Sequence, residues 1–287
     1  MLVFYPQKKS SYLKIFLHEN STWRVHSLFK NGLNLSNGED LLFIGTNKNG
    51  ELPFAVHLTL THTQELIQQL HLNQLFIFKN NKWLSEDEQI KISLDYTIDF
   101  CSKGEIVTSV DFFQIEELKR SVNNLSGKNG FGNKLPMNLE LEGYDERFTN
   151  AFNQLQSSDK NQIEAGLRYF IGRGEGETPS GDDLLVGLLS VDTAYQVLSQ
   201  NVRKQLNLLL STETLTTDIG KAYLKVALSN QFTTTINDLL SELKTRQKNN
   251  TQLKYLINQL SKTGHTSGLD TLTGILLGLF IKEKQQY

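Results

Sequence analysis

The alternation of apolar and polar residues differs between the two halves of the chain. In the first half the clearest pattern runs from Ile90 to Phe100, where every second residue is apolar and the residues between are polar or charged. A period of two places these two sets on opposite faces of a β-strand, so the segment predicts one half-buried strand. Shorter apolar runs precede it, and the spacing near Thr63–Leu72 predicts a helix.

Turn signals separate the short apolar runs. The chain contains four Asn-Gly dipeptides, which begin at Asn31, Asn37, Asn49 and Asn129. Asn-Gly readily supplies the positive φ angles that tight hairpin turns require. Residues 1–125 are therefore predicted to form an antiparallel β-rich domain, either a sheet or a small barrel.

Beyond residue 138 the apolar residues recur at helical spacing. Leu253, Leu256 and Leu260, for example, share one face of a helix. The segment before this region, residues 126–138, is rich in Gly and Asn and is predicted to be a linker or a mobile loop. The predicted fold is α+β, with the β-rich domain followed by an all-helical domain at residues 139–287.

Composition and charge narrow the class of protein. The chain has 29 basic and 31 acidic residues among 287, a net charge of −2 that argues against broad nucleic-acid binding. Its single cysteine, Cys101, excludes an internal disulfide and favours a reducing compartment. The apolar runs fall far short of the ~20 residues that span a bilayer. We therefore expect a soluble, cytoplasmic protein that binds neither nucleic acid nor membranes.

Two segments of the helical half resemble each other. One begins at Ser180 and the other at Ser267, and both read Ser-Gly-x-Asp-x-Leu-x-Gly, then Leu or Ile, then Leu. Serine followed three residues later by an acid resembles a capping box, so each copy predicts a helix start with its serine as the N-cap. Glycine two turns into a helix costs about 1 kcal/mol against alanine. Gly187 and Gly274 therefore indicate closely packed helices, and if these cross there, their N-termini converge on one site.

A glycine-rich approach precedes the first copy, with Gly172, Gly174 and Gly176 at alternate positions. Glycines let the backbone turn tightly and expose N–H groups, and a helix N-terminus adds about half a positive charge. This combination predicts a site for an anion such as phosphate. Two carboxylates, Asp182 and Asp183, follow at once and are candidate ligands for Mg²⁺.

The two segments supply the remaining candidate site residues. His265 is the only histidine of the helical half and can transfer a proton near neutral pH, so it is a candidate catalytic residue together with Asp183 and Asp270. The candidate ligand-binding residues are Gly174, Gly176, Thr178, Ser180, Gly181, Thr266, Ser267 and Gly268. The alternative interpretation is that both segments are ordinary helix starts whose glycines serve only packing.

These motifs resemble those of a known family. The glycine-rich stretch that ends in Thr178–Asp183, followed late in the chain by Gly264–Asp270, is similar to the AllH family, and the stretch from Leu215 to Ala227 also looks similar. That family includes a subunit of the oxamate carbamoyltransferase of anaerobic allantoin breakdown, an enzyme that requires several different subunits.

The resemblance implies a two-domain protein in a carbamoyl-transfer setting, where oxalurate and phosphate give oxamate and carbamoyl phosphate. It implies a small anionic metabolite or phosphate as ligand and other carbamoyltransferase subunits as partners. Glu175 and Glu177 stand where the family usually has proline and leucine. Two carboxylates beside a phosphate site repel an anion unless a cation intervenes, which favours a metal-bridged or different ligand.

Two other functions fit the same residues. The chain could be a non-catalytic subunit that binds an anionic metabolite or serves assembly, since no strong nucleophile–base pair is visible in the sequence. A third interpretation is a structural scaffold whose pocket does not respond to ligands.

Overall fold

The computed structural model describes residues 1–48, 50–107 and 109–285. Its contacts divide the chain into two compact units, Met1–Lys103 and Gly104–Tyr287. Within the described residues, all strands lie in the first unit, and all α-helices except one lie in the second. This is a mixed α+β protein, as predicted. The division comes earlier than the predicted end of the β-rich segment at residue 125.

The first unit contains a ten-stranded sheet. In chain order, strands β1 to β10 are Leu2–Phe4, Lys8–Ser10, Ser21–Phe29, Gly32–Ser36, Leu41–Gly45, Ala55–His57, Leu75–Lys79, Lys82–Ser85, Ile90–Ser93 and Ile98–Phe100. Their order across the sheet is β1-β9-β8-β7-β3-β4-β5-β6-β2-β10. The pairs β1/β9, β5/β6 and β2/β10 are parallel and the others are antiparallel. The sheet is therefore mixed, whereas the sequence predicted an antiparallel one.

The prediction of a single strand from Ile90 to Phe100 is wrong. β9 ends at Ser93 and β10 begins at Ile98, and the two strands lie towards opposite ends of the sheet order. Tyr96 between them has a φ of +65° and is 97% exposed. A residue in the left-handed conformation changes the direction of the chain. The alternation of apolar and polar residues continues across this turn, so the alternation alone does not show that the strand is broken.

The hairpin turns follow the predicted chemistry only in part. Asn31 lies between the paired strands β3 and β4, as expected. Among the described residues, two consecutive left-handed residues occur instead at Asn80-Asn81, with φ of 49° and 60°, between β7 and β8. Asn tolerates this conformation better than most residues, so it can replace the Asn-Gly pair. Asn49 lies outside the described residues.

A short 3₁₀ helix at Ser11–Ile15 and helix α1 at Leu60–Gln68 complete the first unit. α1 overlaps the helix predicted near Thr63–Leu72, and the Thr59 side chain caps it by accepting a hydrogen bond from the His62 N–H. The core of the sheet includes Trp23 and Trp83, both fully buried, whose rings meet edge to face with centroids 6.5 Å apart.

The second unit consists of nine described helices, each of which begins and ends within it. In chain order, α2 to α10 are Phe112–Asn123, Glu146–Leu155, Lys160–Phe170, Ser180–Tyr195, Gln200–Thr212, Asp218–Leu228, Thr234–Glu242, Thr251–Ser261 and Ser267–Lys284. Most have one buried face, and six begin at an Asp, Ser or Thr whose side chain caps the first turn.

Helices α5 and α10 are the centre of this unit. Every residue of α5 is buried, and α10 is buried without interruption from Gly268 to Ile281. A helix that is apolar on all sides has no solvent-facing stripe and therefore belongs in the interior, surrounded by the amphipathic helices.

The two central helices run parallel in very close contact. A Cβ atom placed on Gly187 would lie 2.1 Å from the carbonyl oxygen of Thr271, and one on Gly274 would lie 1.9 Å from that of Leu184. Further along, a Cβ on Gly278 would lie 2.7 Å from the Cβ of Val191. Only glycine permits this approach of backbone to backbone. In the first contact a glycine of α5 meets a carbonyl group of α10, and in the second a glycine of α10 meets a carbonyl group of α5. A local two-fold axis would relate the two contacts in this way.

Candidate functional site

The two Ser-Gly-x-Asp segments meet at one end of the central helix pair. Because α5 and α10 are parallel, their first turns lie side by side, and the Thr178 Oγ1 and Ser267 Oγ atoms are 3.1 Å apart. Gly181 and Gly268 hold equivalent places, each against the end of the preceding helix. A Cβ on Gly181 would lie 1.9 Å from the carbonyl oxygen of Phe170, and one on Gly268 would lie 1.8 Å from that of Leu260. The repeated sequence is therefore a repeated helix–turn–helix packing.

The predicted capping boxes are wrong. The residues at the N-cap positions are Pro179 and Thr266, and neither makes a side-chain cap. Ser180 and Ser267 are already the first helical residues. Their hydroxyl groups act across the pair: Ser267 lies against the carboxyl group of Asp183, and Ser180 against that of Asp270. The serine of each segment therefore contacts the acid of the other segment. The sequence of one segment alone does not reveal a contact between two helices.

Asp183 is buried beneath this layer of hydroxyl groups. Burial raises its pKa well above the ordinary value, and the nearby negative charge of Asp270 raises it further, while the hydroxyls of Ser267 and Thr178 oppose the shift. Its exposed fraction is only 7%. The Oδ2 atom has no hydrogen-bond partner among the described residues.

Asp270 occupies the equivalent place on α10 and is completely buried. Its Oδ1 atom accepts a 2.7 Å hydrogen bond from the Gly130 N–H. Burial raises the pKa of this carboxyl group, and the Gly130 amide and the hydroxyls of Thr266 and Ser180 partly offset the shift. Within the described chain its Oδ2 atom, like that of Asp183, lacks a hydrogen-bond partner.

Asp182 has different partners. Its Oδ1 atom accepts a 2.8 Å hydrogen bond from the Gly172 N–H, and its Oδ2 atom accepts one from the Thr216 hydroxyl. Burial raises the pKa of Asp182 to about 6 in spite of these bonds. The neighbouring Thr217 donates to the carbonyl oxygen of Glu177 at 2.5 Å. Asp182 therefore fastens the glycine-rich segment to the start of α7.

A cleft of about 840 Å³ opens above the two helix starts, and all the residues that line it belong to the second unit. The cleft brings together seven of the predicted site residues, namely Gly174, Gly176, Thr178, Ser180, His265, Thr266 and Ser267. The other predicted residues, Gly181, Gly268, Asp182, Asp183 and Asp270, do not line it.

The rim of the cleft is a row of unused backbone donors. Among the described residues, the N–H groups of residues 174–178 donate to no protein acceptor. Gly174 and Gly176 have φ angles of 114° and 90°, a conformation that other residues rarely adopt. By contrast, the N–H of Gly181 donates to the Arg173 carbonyl and that of Gly268 to the Thr263 carbonyl. The available donors therefore belong to the loop and not to these two helix residues.

One cation and one aromatic surface complete the cleft. The Arg173 guanidinium lies 3.9 Å from the centre of the Tyr169 ring, and its Nε donates to the Tyr169 carbonyl at 2.7 Å. Phe131 packs edge to face on Phe148, with ring centroids 5.0 Å apart. His265 is exposed and also lines the cleft.

Sequence reasoning missed several of these residues. The segment predicted as a linker, residues 126–138, supplies Gly130 and Phe131 to the cleft, and its Asn129 is buried and donates to Tyr144 and Thr273. Nothing local in the sequence marks these long-range contacts. Arg173, however, carried a usable signal, because it is the one cation within the glycine-rich stretch.

Two family models match the chain. Residues 170–279 match the model described as oxamate carbamoyltransferase subunit AllH, and residues 8–101 match the model described as the AllH family N-terminal domain. The chain belongs to the AllH family. The first match contains both Ser-Gly-x-Asp segments and Thr216, while Gly130 lies outside both matches. No solved structure matches the chain.

Within the part of the chain that the structure describes, no group of three or more His, Cys, Asp or Glu side chains is arranged to hold a metal ion. None of the described helices has both the length and the apolar character needed to cross a membrane.

Proposed function

We propose that this AllH-family chain is a subunit of a carbamoyl-transferring enzyme and that its cleft binds an anionic, carbamoyl- or phosphate-containing ligand. The match to the family described as oxamate carbamoyltransferase subunit AllH supports the enzyme setting. The resemblance implies that oxalurate and phosphate are exchanged there for oxamate and carbamoyl phosphate. The observation that carries the choice of ligand is the row of free N–H groups at residues 174–178 beside the Arg173 guanidinium. Such donors form a nest for oxyanions.

The same donors suit the chemistry. Carbamoyl transfer develops negative charge on the carbonyl oxygen when phosphate attacks oxalurate, and again when phosphate departs in the reverse reaction. Fixed donors stabilise this charge without reorganisation. In this proposal Gly174, Gly176 and Thr178 bind the anion from one side of the cleft. Ser180, Thr266 and Ser267 bind it from the floor through their hydroxyl groups.

The remaining predicted residues act around this ligand. His265 is exposed at the lip and transfers a proton to or from the bound group. Gly181 and Gly268 position the floor by letting the helices approach the preceding carbonyl groups. Asp183 and Asp270 lie under the hydroxyl layer and act on the ligand through it.

A second candidate is a non-catalytic subunit that binds an anionic metabolite in the same cleft and regulates or assembles its partners. It is favoured by the position of Asp183 and Asp270, because neither predicted catalytic carboxylate lines the cleft. The two candidates share the ligand class and differ in turnover.

The test is binding of carbamoyl phosphate and of inorganic phosphate to the full chain by calorimetry. Arg173→Gln should weaken binding by about tenfold, since a charge-assisted hydrogen bond contributes about 1.5–3 kcal/mol. The matched control is Arg168→Gln, which removes the same charge from an exposed arginine of α4 paired with Glu164 and Glu213. Binding that is unchanged in Arg173→Gln, or absent in the wild type, would contradict the proposal.

Turnover separates the two candidates. Partner subunits are added to the chain and formation of carbamoyl phosphate from oxalurate is measured. For the enzyme subunit, His265→Gln lowers turnover while ligand affinity is retained. For the binding subunit, His265→Gln leaves turnover by the assembled complex unchanged.

A further inference from the structure

Among the described residues of the second unit, two buried carboxylate oxygens have no hydrogen-bond partner. They are Asp183 Oδ2 and Asp270 Oδ2, on side chains that are 7% and 0% exposed. The two acids occupy equivalent positions in the repeated segments, three residues after Ser180 and Ser267. Leaving a buried polar oxygen without a partner costs about 1–3 kcal/mol, and more when it is charged. Two such atoms at equivalent places indicate a common ligand.

The surroundings of both oxygens are rich in oxygen atoms. The hydroxyls of Thr178 and Ser267 are 3.1 Å apart and both lie against Asp183. On the other side, Ser180 Oγ and Asp270 Oδ2 both flank Gly130, within 1.7 Å and 3.0 Å of the place where its Cβ would be. Carboxylate and hydroxyl oxygens are hard donors, the type that Mg²⁺ and Ca²⁺ prefer.

Protonation is the competing explanation for these oxygens. A proton on one Oδ2 removes its charge, and the new O–H group can donate to the other Oδ2 or to a hydroxyl oxygen beside it. A cation placed between the two oxygens satisfies both and cancels their charges. Magnesium is commonly bound by one or two carboxylates with waters and a substrate phosphate as its other ligands. Two acids below an open polar cleft match that pattern.

We propose that Asp183 and Asp270 hold one divalent cation of the Mg²⁺ type between the first turns of α5 and α10, with hydroxyl oxygens of the same layer and water from the cleft as its other ligands. The site differs from the pair Asp182 and Asp183 predicted from the sequence. Both oxygens of Asp182 are already bonded, to Gly172 and Thr216.

Charge explains what the cation would do. Each helix start contributes about half a positive charge, which by itself repels a cation, but the two carboxylates together bring two full negative charges. With the cation in place the floor of the cleft becomes net positive. That charge offsets Glu175 and Glu177, which line the cleft and would otherwise repel an anion.

The experiment uses the full chain and the metal alone, so its outcome does not depend on carbamoyl chemistry. Mg²⁺ binding is measured by calorimetry, and Mn²⁺ binding by electron paramagnetic resonance. The wild type should bind one ion. Asp183→Asn and Asp270→Asn keep the side-chain shape and should each weaken binding by more than about tenfold, because a lost ligand costs at least as much as a lost supporting residue. Circular dichroism confirms that both variants are folded.

The matched control is Glu175→Gln, which removes one negative charge from the lip of the same cleft and should retain the ion. The proposal is overturned if the wild type binds no ion, or if Asp183→Asn and Asp270→Asn bind it as the wild type does. It is also overturned if Glu175→Gln loses the ion together with the two aspartate variants, since general electrostatic attraction would then explain the binding. In a further outcome the wild type binds no metal while the Asp183→Asn variant melts at a higher temperature than the wild type. That result indicates a proton shared by the two acids, and it overturns the proposal as well.

Discussion

At the scale of single residues, His57 shows how burial changes the chemistry of a side chain. It lies in β6, is 2% exposed, and stacks on Phe100 with ring centroids 5.5 Å apart. Its Nε2 accepts a hydrogen bond from the Leu52 N–H at 3.2 Å, so the neutral ring is the form that fits. Burial lowers the pKa of His57 below its ordinary value of 6.5, and the Gly45 carbonyl and the Glu51 charge oppose the shift.

The contribution of His57 to the free energy of unfolding should therefore fall as the solution becomes acidic. Well above pH 6.5 the ring is neutral in both states and its contribution is complete. Below pH 6.5 the unfolded chain takes up the proton first, so stability decreases by at most about 1.4 kcal/mol per pH unit until the lower folded pKa is reached. Urea unfolding followed by the fluorescence of Trp23 and Trp83 reports on this unit. The non-titrating variant His57→Gln should lose less stability between pH 7 and 5, and equal losses would contradict the assignment.

At the scale of elements, the decisive contact is the parallel pair α5 and α10. Both helices are buried on all sides over most of their length, so neither is expected to fold without the amphipathic helices around them. The glycines place backbone against backbone, where no change of rotamer can make room. This close pairing also sets the separation of the two helix starts that form the site floor.

Gly274→Ala tests that contact. Alanine gains about 1 kcal/mol in helix propensity, but its Cβ would meet the Leu184 carbonyl at 1.9 Å and force the helices apart. Overpacking in a close-packed core costs about 1–3 kcal/mol, and a clash this short with backbone puts the cost at the upper end of that range. After the gain in helix propensity we expect a net loss of stability of about 2 kcal/mol. Thermal unfolding by circular dichroism measures it. The control, Asn207→Ala on the exposed face of α6, should be neutral or slightly stabilising; a Gly274→Ala chain as stable as the wild type would disprove the close contact.

At the scale of the whole molecule, local signals predicted local structure. The helical spacing near Leu253 predicted α9, and the repeated Ser-Gly-x-Asp pattern predicted two helix starts. The hydrogen bond from Gly130 to Asp270 joins residues 140 apart in the chain, and no periodicity encodes it. The same limit hid the crossed serine–acid contacts, since a pattern reports which face is buried and not what covers it.

The division of the chain leads to a last prediction, that residues 104–287 fold on their own. The core cluster that extends from Ile115 to Ile281, and all the residues that line the cleft, lie within this unit. An isolated fragment should therefore show helical circular dichroism and one cooperative thermal transition, because its buried apolar surface is retained. It should also bind Mg²⁺ and phosphate with affinities within about threefold of those of the full chain, since a difference below about 0.7 kcal/mol lies within the scatter of context effects.

The Asp270→Asn fragment is the control, and it should fold yet lose the ion. A fragment without a cooperative transition would show that the helical unit depends on residues 1–103, and a folded fragment with weakened binding would place part of the site in those residues.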